Sequence, residues 1–230
     1  MKEFLSTSSY FGILLSLAAY IIAVFIKKKF KYAFLNPLLV AIIITVAVVL
    51  LLNVEYEAYN SSAKYLSYLL TPATVCLAVP LYEQFDKLKE NAVAILLGIF
   101  SGVLTSIVSI FLLSKLFRFT QSEFVTFLPK SITTAIGLSV SEELGGYVSI
   151  TVAAIILTGV LGNIICEAVL KLFKVTDPIA KGAAIGTASH AIGTSKALEI
   201  GETEGAISSL SIVTAGIMTV LLASLFAGLY

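Results

Sequence analysis

Apolar residues come in long runs along this chain, and the polar interruptions are concentrated in a few places. Residues 10–26, 34–52, 92–117 and 206–229 are almost unbroken. Residues 147–173 are apolar apart from Glu167 and Lys171, whose i, i+4 spacing lets them pair on one helix face. A helix needs about 20 apolar residues to cross a bilayer, so these runs predict membrane helices. Three further segments are apolar but punctuated. Residues 66–82 hold Pro72 and Pro80. Residues 124–140 hold Pro129, Lys130 and Gly137. Residues 182–198 hold Gly182, Gly186, His190, Gly193 and Lys196. Proline breaks the helical ladder and glycine leaves helical geometry cheaply. Pro72, Pro80, Pro129, Gly137, Gly186 and Gly193 are therefore the expected helix breaks. Irregular backbone at membrane depth persists only where protein or a wet cavity satisfies it. The three segments should surround a cavity, with the intact helices outside.

Two of these segments resemble each other. Residues 134–146 and 190–202 share Ala135/Ala191, Ile136/Ile192, Gly137/Gly193, Ser139/Ser195, Glu143/Glu199 and Gly145/Gly201. At an offset of 57, Pro72 falls on Pro129, Ala78 on Ala135, and Ser101-Gly102-Val103-Leu104 on Thr158-Gly159-Val160-Leu161. The expected fold is an all-α integral membrane protein of seven to eight passes. It has broken or re-entrant helices and internal repeats of about 57 residues, within a single membrane domain over 1–230. Residues 1–65 form an N-terminal helix pair. Residues 66–122, 123–181 and 182–230 are units of a broken segment plus a long helix. Duplicated, interrupted polar segments among membrane helices point to a transporter's binding site.

Composition narrows the class. The chain is 58% hydrophobic and 13% charged, with mean hydropathy +1.01, against about 25% charged in soluble domains. The net charge of +1 gives no electrostatic basis for binding nucleic acid. Cys76 and Cys166 lie in apolar runs without a CxxC neighbour, and read as buried small hydrophobes. The first apolar run lacks an Ala-x-Ala pattern and reads as a retained span. Basic residues at 27–31, at Lys115 and Arg118, and at Lys171, Lys174 and Lys181 mark cytoplasmic loops. The turns at Glu142-Glu143 and Glu199–Glu204 read as external, with solvated carboxylates.

Lys130 is the least expected residue, because a cation at that depth costs about 2.5–3.5 kcal/mol on insertion scales. It either faces a small carboxylate or snorkels to headgroups from a helix end. Ser131, Thr133 and Thr134 follow it, with hydroxyls suited to a carboxylate or to bonding back to their own carbonyls. Thr74 and Tyr82, with Thr71, form the analogous set in the first broken segment. Ser189 and His190 lie in the third. His190 is the only histidine. It either carries a proton with a substrate or bonds a carbonyl freed by a break. No Ser/His/Asp arrangement, metal-ligand cluster or nucleotide motif stands out, so neither enzyme activity nor a cofactor is expected.

The runs Leu70-Thr71-Pro72-Ala73-Thr74-Val75-Cys76-Leu77-Ala78-Val79-Pro80-Leu81-Tyr82, Leu128-Pro129-Lys130-Ser131-Ile132-Thr133-Thr134-Ala135-Ile136 and Ala180-Lys181-Gly182-Ala183-Ala184-Ile185-Gly186-Thr187-Ala188-Ser189-His190-Ala191-Ile192-Gly193-Thr194 resemble the LrgB/CidB family. Tyr10-Phe11-Gly12 and Asn36-Pro37 fit as well. The resemblance implies a multi-pass protein of the bacterial plasma membrane, embedded in the lipid bilayer; small-residue pairs such as Gly98/Gly102 allow close helix approach, within the chain or in a homo-oligomer. The resemblance also implies a small LrgA/CidA-type membrane partner, absent from this chain. Two roles follow from it. One is carriage of a small monocarboxylate such as pyruvate or glycolate, to which the reading of the residues themselves adds proton coupling through His190. The other is antiholin-like regulation of murein hydrolase activity, autolysis and programmed cell death. The plastid glycolate/glycerate transporter contains a similar half.

Overall fold

The computed structural model describes residues 10–30 and 35–230; for Leu70, Thr74 and Leu81 it describes the backbone. The regular elements among the described residues are all helices, and the chain divides into two compact units at 76/77. Four helices are long and apolar enough to cross a membrane: Phe11–Phe30, Ala92–Phe117, Val148–Leu172 and Glu202–Ala227. They reproduce four of the runs seen in the sequence.

In the first unit, α1 (Phe11–Phe30) and the shorter α2 (Pro37–Leu51) pack through Ala19, Ala23 and Ala41. Asn36 caps α2 by accepting from the N–H groups of Leu38 and Leu39. The helix α3 (Tyr56–Ala63) crosses close to α1, where Ser62 Oγ accepts from Gly12 N at 2.8 Å. A 3-10 turn, Lys64–Leu69, leads into α4 (Leu70–Cys76). Cys166 is buried as expected, whereas Cys76 is exposed. Its apolar neighbours therefore do not enclose it.

The second unit opens with α5 (Ala78–Glu83) and α6 (Phe85–Glu90), followed by the 26-residue α7 (Ala92–Phe117). Next come α8 (Gln121–Phe127), an irregular stretch 128–133, and α9 (Thr134–Glu143). The central helix α10 (Val148–Leu172), α11 (Pro178–Ile200) and α12 (Glu202–Ala227) complete it. Ile95, Ile99, Val103 and Ile107 of α7 form a buried stripe that packs with Phe124, Val125 and Ile207.

Two segments that read as interrupted spans fold as helical hairpins. In α8–α9, Thr151 Oγ1 bonds both Thr126 O (2.9 Å) and Ser141 Oγ (2.6 Å), so residues on either side of the break sit at one level. A Cβ on Gly137 would lie 3.4 Å from Pro129 O, which places those two residues together nearer the tip. In α11, His190 has φ 42 and ψ −141, and the chain reverses there. Ser208 of α12 meets Gly186 on one arm and Thr194 on the other. Nearer the mouth, Glu204 meets Gly182 and Gly205 meets Leu198. Both pairs are equidistant from His190 along the chain, which is the signature of a reversal.

The two hairpins enter from opposite ends of α10. The first opens at Thr126, Ser141 and Thr151, near the start of α10. The second opens at Lys196 and Glu167, near its end. Each leaves on the side it entered. This corrects one expectation about orientation: Lys115/Arg118 and Lys171/Lys174/Lys181 lie at opposite ends of α10, so these two basic loops cannot both be cytoplasmic. Glu204 departs from the solvated-carboxylate reading, being 7% exposed and 3.7 Å from Lys181.

The breaks fall at 128–133 and at His190. Gly137, Gly186 and Gly193 are helical, and they allow close approach instead. A Cβ on Gly193 would come within 2.5 Å of Ser189 Cβ, and one on Gly137 within 2.5 Å of Ile155 Cδ1. Pro129 is buried in the first break. Pro72 and Pro80 each occupy the third position of a short helix, where a missing N–H costs no intrahelical bond.

Candidate functional site where two hairpin tips meet

The tips of both hairpins reach the same stretch of α10. Gly137 abuts Ile155 from one side, and His190 Nε2 bonds Ile155 O at 3.0 Å from the other. A carbonyl oxygen only accepts, so Nε2 carries the proton and donates. His190 is 3% exposed, and Gly159 leaves room for its ring: a Cβ there would lie 2.7 Å from Cε1. Thr194 Oγ1, four residues on, donates to the carbonyl of His190 at 2.9 Å. Thr194 in turn shares a 2.7 Å bond with Ser208 Oγ.

A groove of about 930 Å³ runs along the tips between α7, α10 and α11. Its apolar wall includes Ile95, Ile110, Leu161 and Ile165, and its polar lining includes Ser101, Thr105, Ser106, Lys130, Ser131, Thr187 and Ser189. Lys130 Nζ donates to Ser131 Oγ at 2.9 Å and to Ser106 Oγ at 3.4 Å. Among the described residues, no carboxylate lies within ion-pair distance of Lys130. Thr187 Oγ1 is buried without a hydrogen-bond partner, and the residue is 7% exposed. Each hairpin also starts its second arm at the tip: α9 begins at Thr134, and the second arm of α11 follows His190. Helix N-termini carry free N–H groups and partial positive charge. The groove itself gathers an ammonium and several hydroxyls, an environment suited to a small anion.

Of the residues the sequence singled out, Lys130, Ser131 and Ser189 line the groove, and His190 stands directly behind it. Thr133 occupies the position before α9 without a capping side-chain bond, Thr134 begins the helix, and neither lines the groove. Tyr82 is 83% exposed and lies apart from it. The side chain of Thr74 lies outside the described residues, and Pro72 belongs to the first unit. Sequence reasoning missed Ser106 and Thr187. Ser106 sits in an unbroken apolar helix, and Thr187 was one hydroxyl among several in a small-residue run. Among the described residues, no group of three His, Cys, Asp or Glu side chains could hold a metal.

Comparison with known proteins shows the family. The LrgB-like family model matches residues 16–229. The chain belongs to the LrgB-like family. Relatives in the family include the "Antiholin-like protein LrgB" of Bacillus subtilis (strain 168), 39% identical over 223 residues that cover 96% of each chain. The protein of the same name from Bacillus cereus (strain B4264) is 39% identical over 218 residues, covering 94% of this chain and 95% of its own. No solved structure matches. Because the family match spans both hairpins and the groove, these features lie within the family's shared region.

Proposed function

We propose that this chain is an antiholin-like membrane protein that restrains murein hydrolase activity and autolysis together with a small LrgA/CidA-type partner. One observation carries the reading: relatives named antiholin-like match at 39% identity over 96% of both chains. The test is complementation. Cells lacking their own protein of this family should lyse faster under a detergent challenge, and this chain, supplied with the partner, should slow lysis to the parental rate. Failure to slow it with the partner present would overturn the proposal.

A second reading is favoured by the groove. Lys130, without a carboxylate partner and flanked by Ser106 and Ser131, suits the carboxylate of a small monocarboxylate such as pyruvate or glycolate. Opposed hairpins that start 57 residues apart fit an inverted repeat whose two halves rock about a central site. His190 stands where a coupled proton would be held. The two readings are compatible, because carboxylate flux alters proton balance and through it autolysis. Uptake of labelled pyruvate or glycolate into vesicles, with and without the partner, tests the carrier; no uptake in either case overturns it.

A further inference from the structure

The second hairpin's mouth holds a separate cavity of about 570 Å³, walled by the end of α10, the loop 173–177 and both arms of the hairpin. Lys171, Lys174, Lys181 and Lys196 line it, with Glu167 and Glu199. The two carboxylates are committed to Lys196, at 2.8 and 2.9 Å. Lys171 and Lys181 keep only longer contacts of 3.7 Å, to Glu167 and Glu204. Lys174 has no carboxylate partner among the described residues. It is held in a left-handed conformation (φ 54), and the next residue's N–H closes the helix end on Leu170 O at 2.9 Å. Leu170, Val175 and Ile200 supply an apolar floor beneath the ammonium groups.

The position on the molecule supplies the occupant. Lys87 Nζ bonds Thr203 Oγ1, so the basic stretch before α7 shares this end of the unit. Lys87, Lys89, Lys171, Lys174 and Lys181 outnumber Lys115 and Arg118 at the opposite end. The positive-inside tendency therefore turns the cavity toward the cytoplasmic leaflet, where anionic phospholipids are concentrated. We propose that this cavity is a binding site for a phosphate-bearing anion, the headgroup of an anionic phospholipid. The phosphate sits among Lys171, Lys174 and Lys181, and the glycerol end rests on Leu170, Val175 and Ile200. The site is distinct from the groove and does not depend on whether the groove carries a carboxylate. Its ligand spans α10 and both arms of the hairpin, and so fastens the hairpin's mouth.

Native mass spectrometry of the full chain in detergent tests this, with phosphatidylglycerol, phosphatidylcholine and inorganic phosphate offered separately. Phosphatidylglycerol should be retained at least about tenfold better than phosphatidylcholine, and Lys174→Met should weaken it about fivefold. The triple variant Lys171→Met, Lys174→Met, Lys181→Met should lose the preference. Glu199→Gln removes a competing carboxylate and should tighten retention, an effect that misfolding cannot produce. Equal retention of the two lipids, or a triple variant that keeps the preference, would overturn the site. Inorganic phosphate binding as tightly as the lipid would overturn the lipid assignment and place the ligand in solution.

Discussion

His190 Nε2 donates to the carbonyl oxygen of Ile155 across 3.0 Å, although 35 positions separate the two residues. Ile155 also receives the tip of the other hairpin through Gly137. One turn of one helix thus fixes both reversals, and hairpins entering from opposite ends of α10 meet there.

Topology follows directly. With Cys76 and Cys166 replaced, single cysteines at Lys174 and Glu202 should react with an impermeant thiol reagent from the same side of the membrane. Cysteines at Phe119 and Gly145 should also share a side, opposite to the first pair. A crossing helix over Pro178–Ile200 would instead split Lys174 from Glu202.

Thr194 Oγ1 ties the carbonyl of His190 to Ser208 Oγ of α12 inside the protein. Thr194→Val should lower stability by about 1–3 kcal/mol, the cost of removing two buried hydrogen bonds. Thr194→Ser should recover most of it. Thermal unfolding in detergent measures both.

Gly186 lies against the backbone of Ser208, and a Cβ there would come 2.8 Å from Ser208 Cα. Backbone cannot yield as a flexible side chain can, so Gly186→Val should cost about 1–3 kcal/mol through overpacking. The same substitution at Gly98, where a Cβ meets nothing within 4 Å, should be nearly neutral.

Replacing Lys130 separates the two functional readings. Lys130→Met removes a charge-assisted contact to a bound carboxylate and should reduce carboxylate uptake about 10- to 100-fold. The protein should still assemble. Restraint of lysis should persist if that role rests on partner contacts alone, and should fall in step with uptake if it rests on flux.

Outside the spans, Thr120 and Glu123 form a reciprocal cap at the mouth of the first hairpin. The Thr120 N–H, and then its hydroxyl, hold the Glu123 carboxyl below its ordinary value. A depressed carboxylate contributes stability that is fully present above its unfolded pKa and is lost as pH falls through the folded value. The cap should weaken only in acid, as pH falls below the ordinary carboxyl value. Thr120→Ala should remove that pH dependence and cost about 1 kcal/mol.

The long apolar helices were legible in the sequence because a run of about 20 apolar residues has one low-cost conformation in lipid. Ala92–Phe117 matches its run to the residue, and Val148–Leu172 differs from its run by one residue at each end. The breaks were legible as places but not as shapes. Proline and glycine mark where a helix can yield, yet the second reversal uses His190, a non-glycine residue at φ 42. Such strain persists only where surrounding packing over-determines it. Here that packing is Gly159, Ile155 and Thr194, contributed from other positions in the chain. Ser106 and Thr187 became visible only when α7 and the first arm of α11 were brought to the groove that Lys130 lines.

The two mouths are fastened by different chemistry. Ser141, Thr151, Thr126 and Tyr147 stitch the first with uncharged bonds, whereas Glu167, Lys196 and Glu199 clasp the second with opposite charges. Dissolved ions screen charges but leave neutral hydroxyl bonds largely untouched. The ionic strength of the surrounding solution therefore acts as a one-sided lever, slackening one end of the molecule while the other holds.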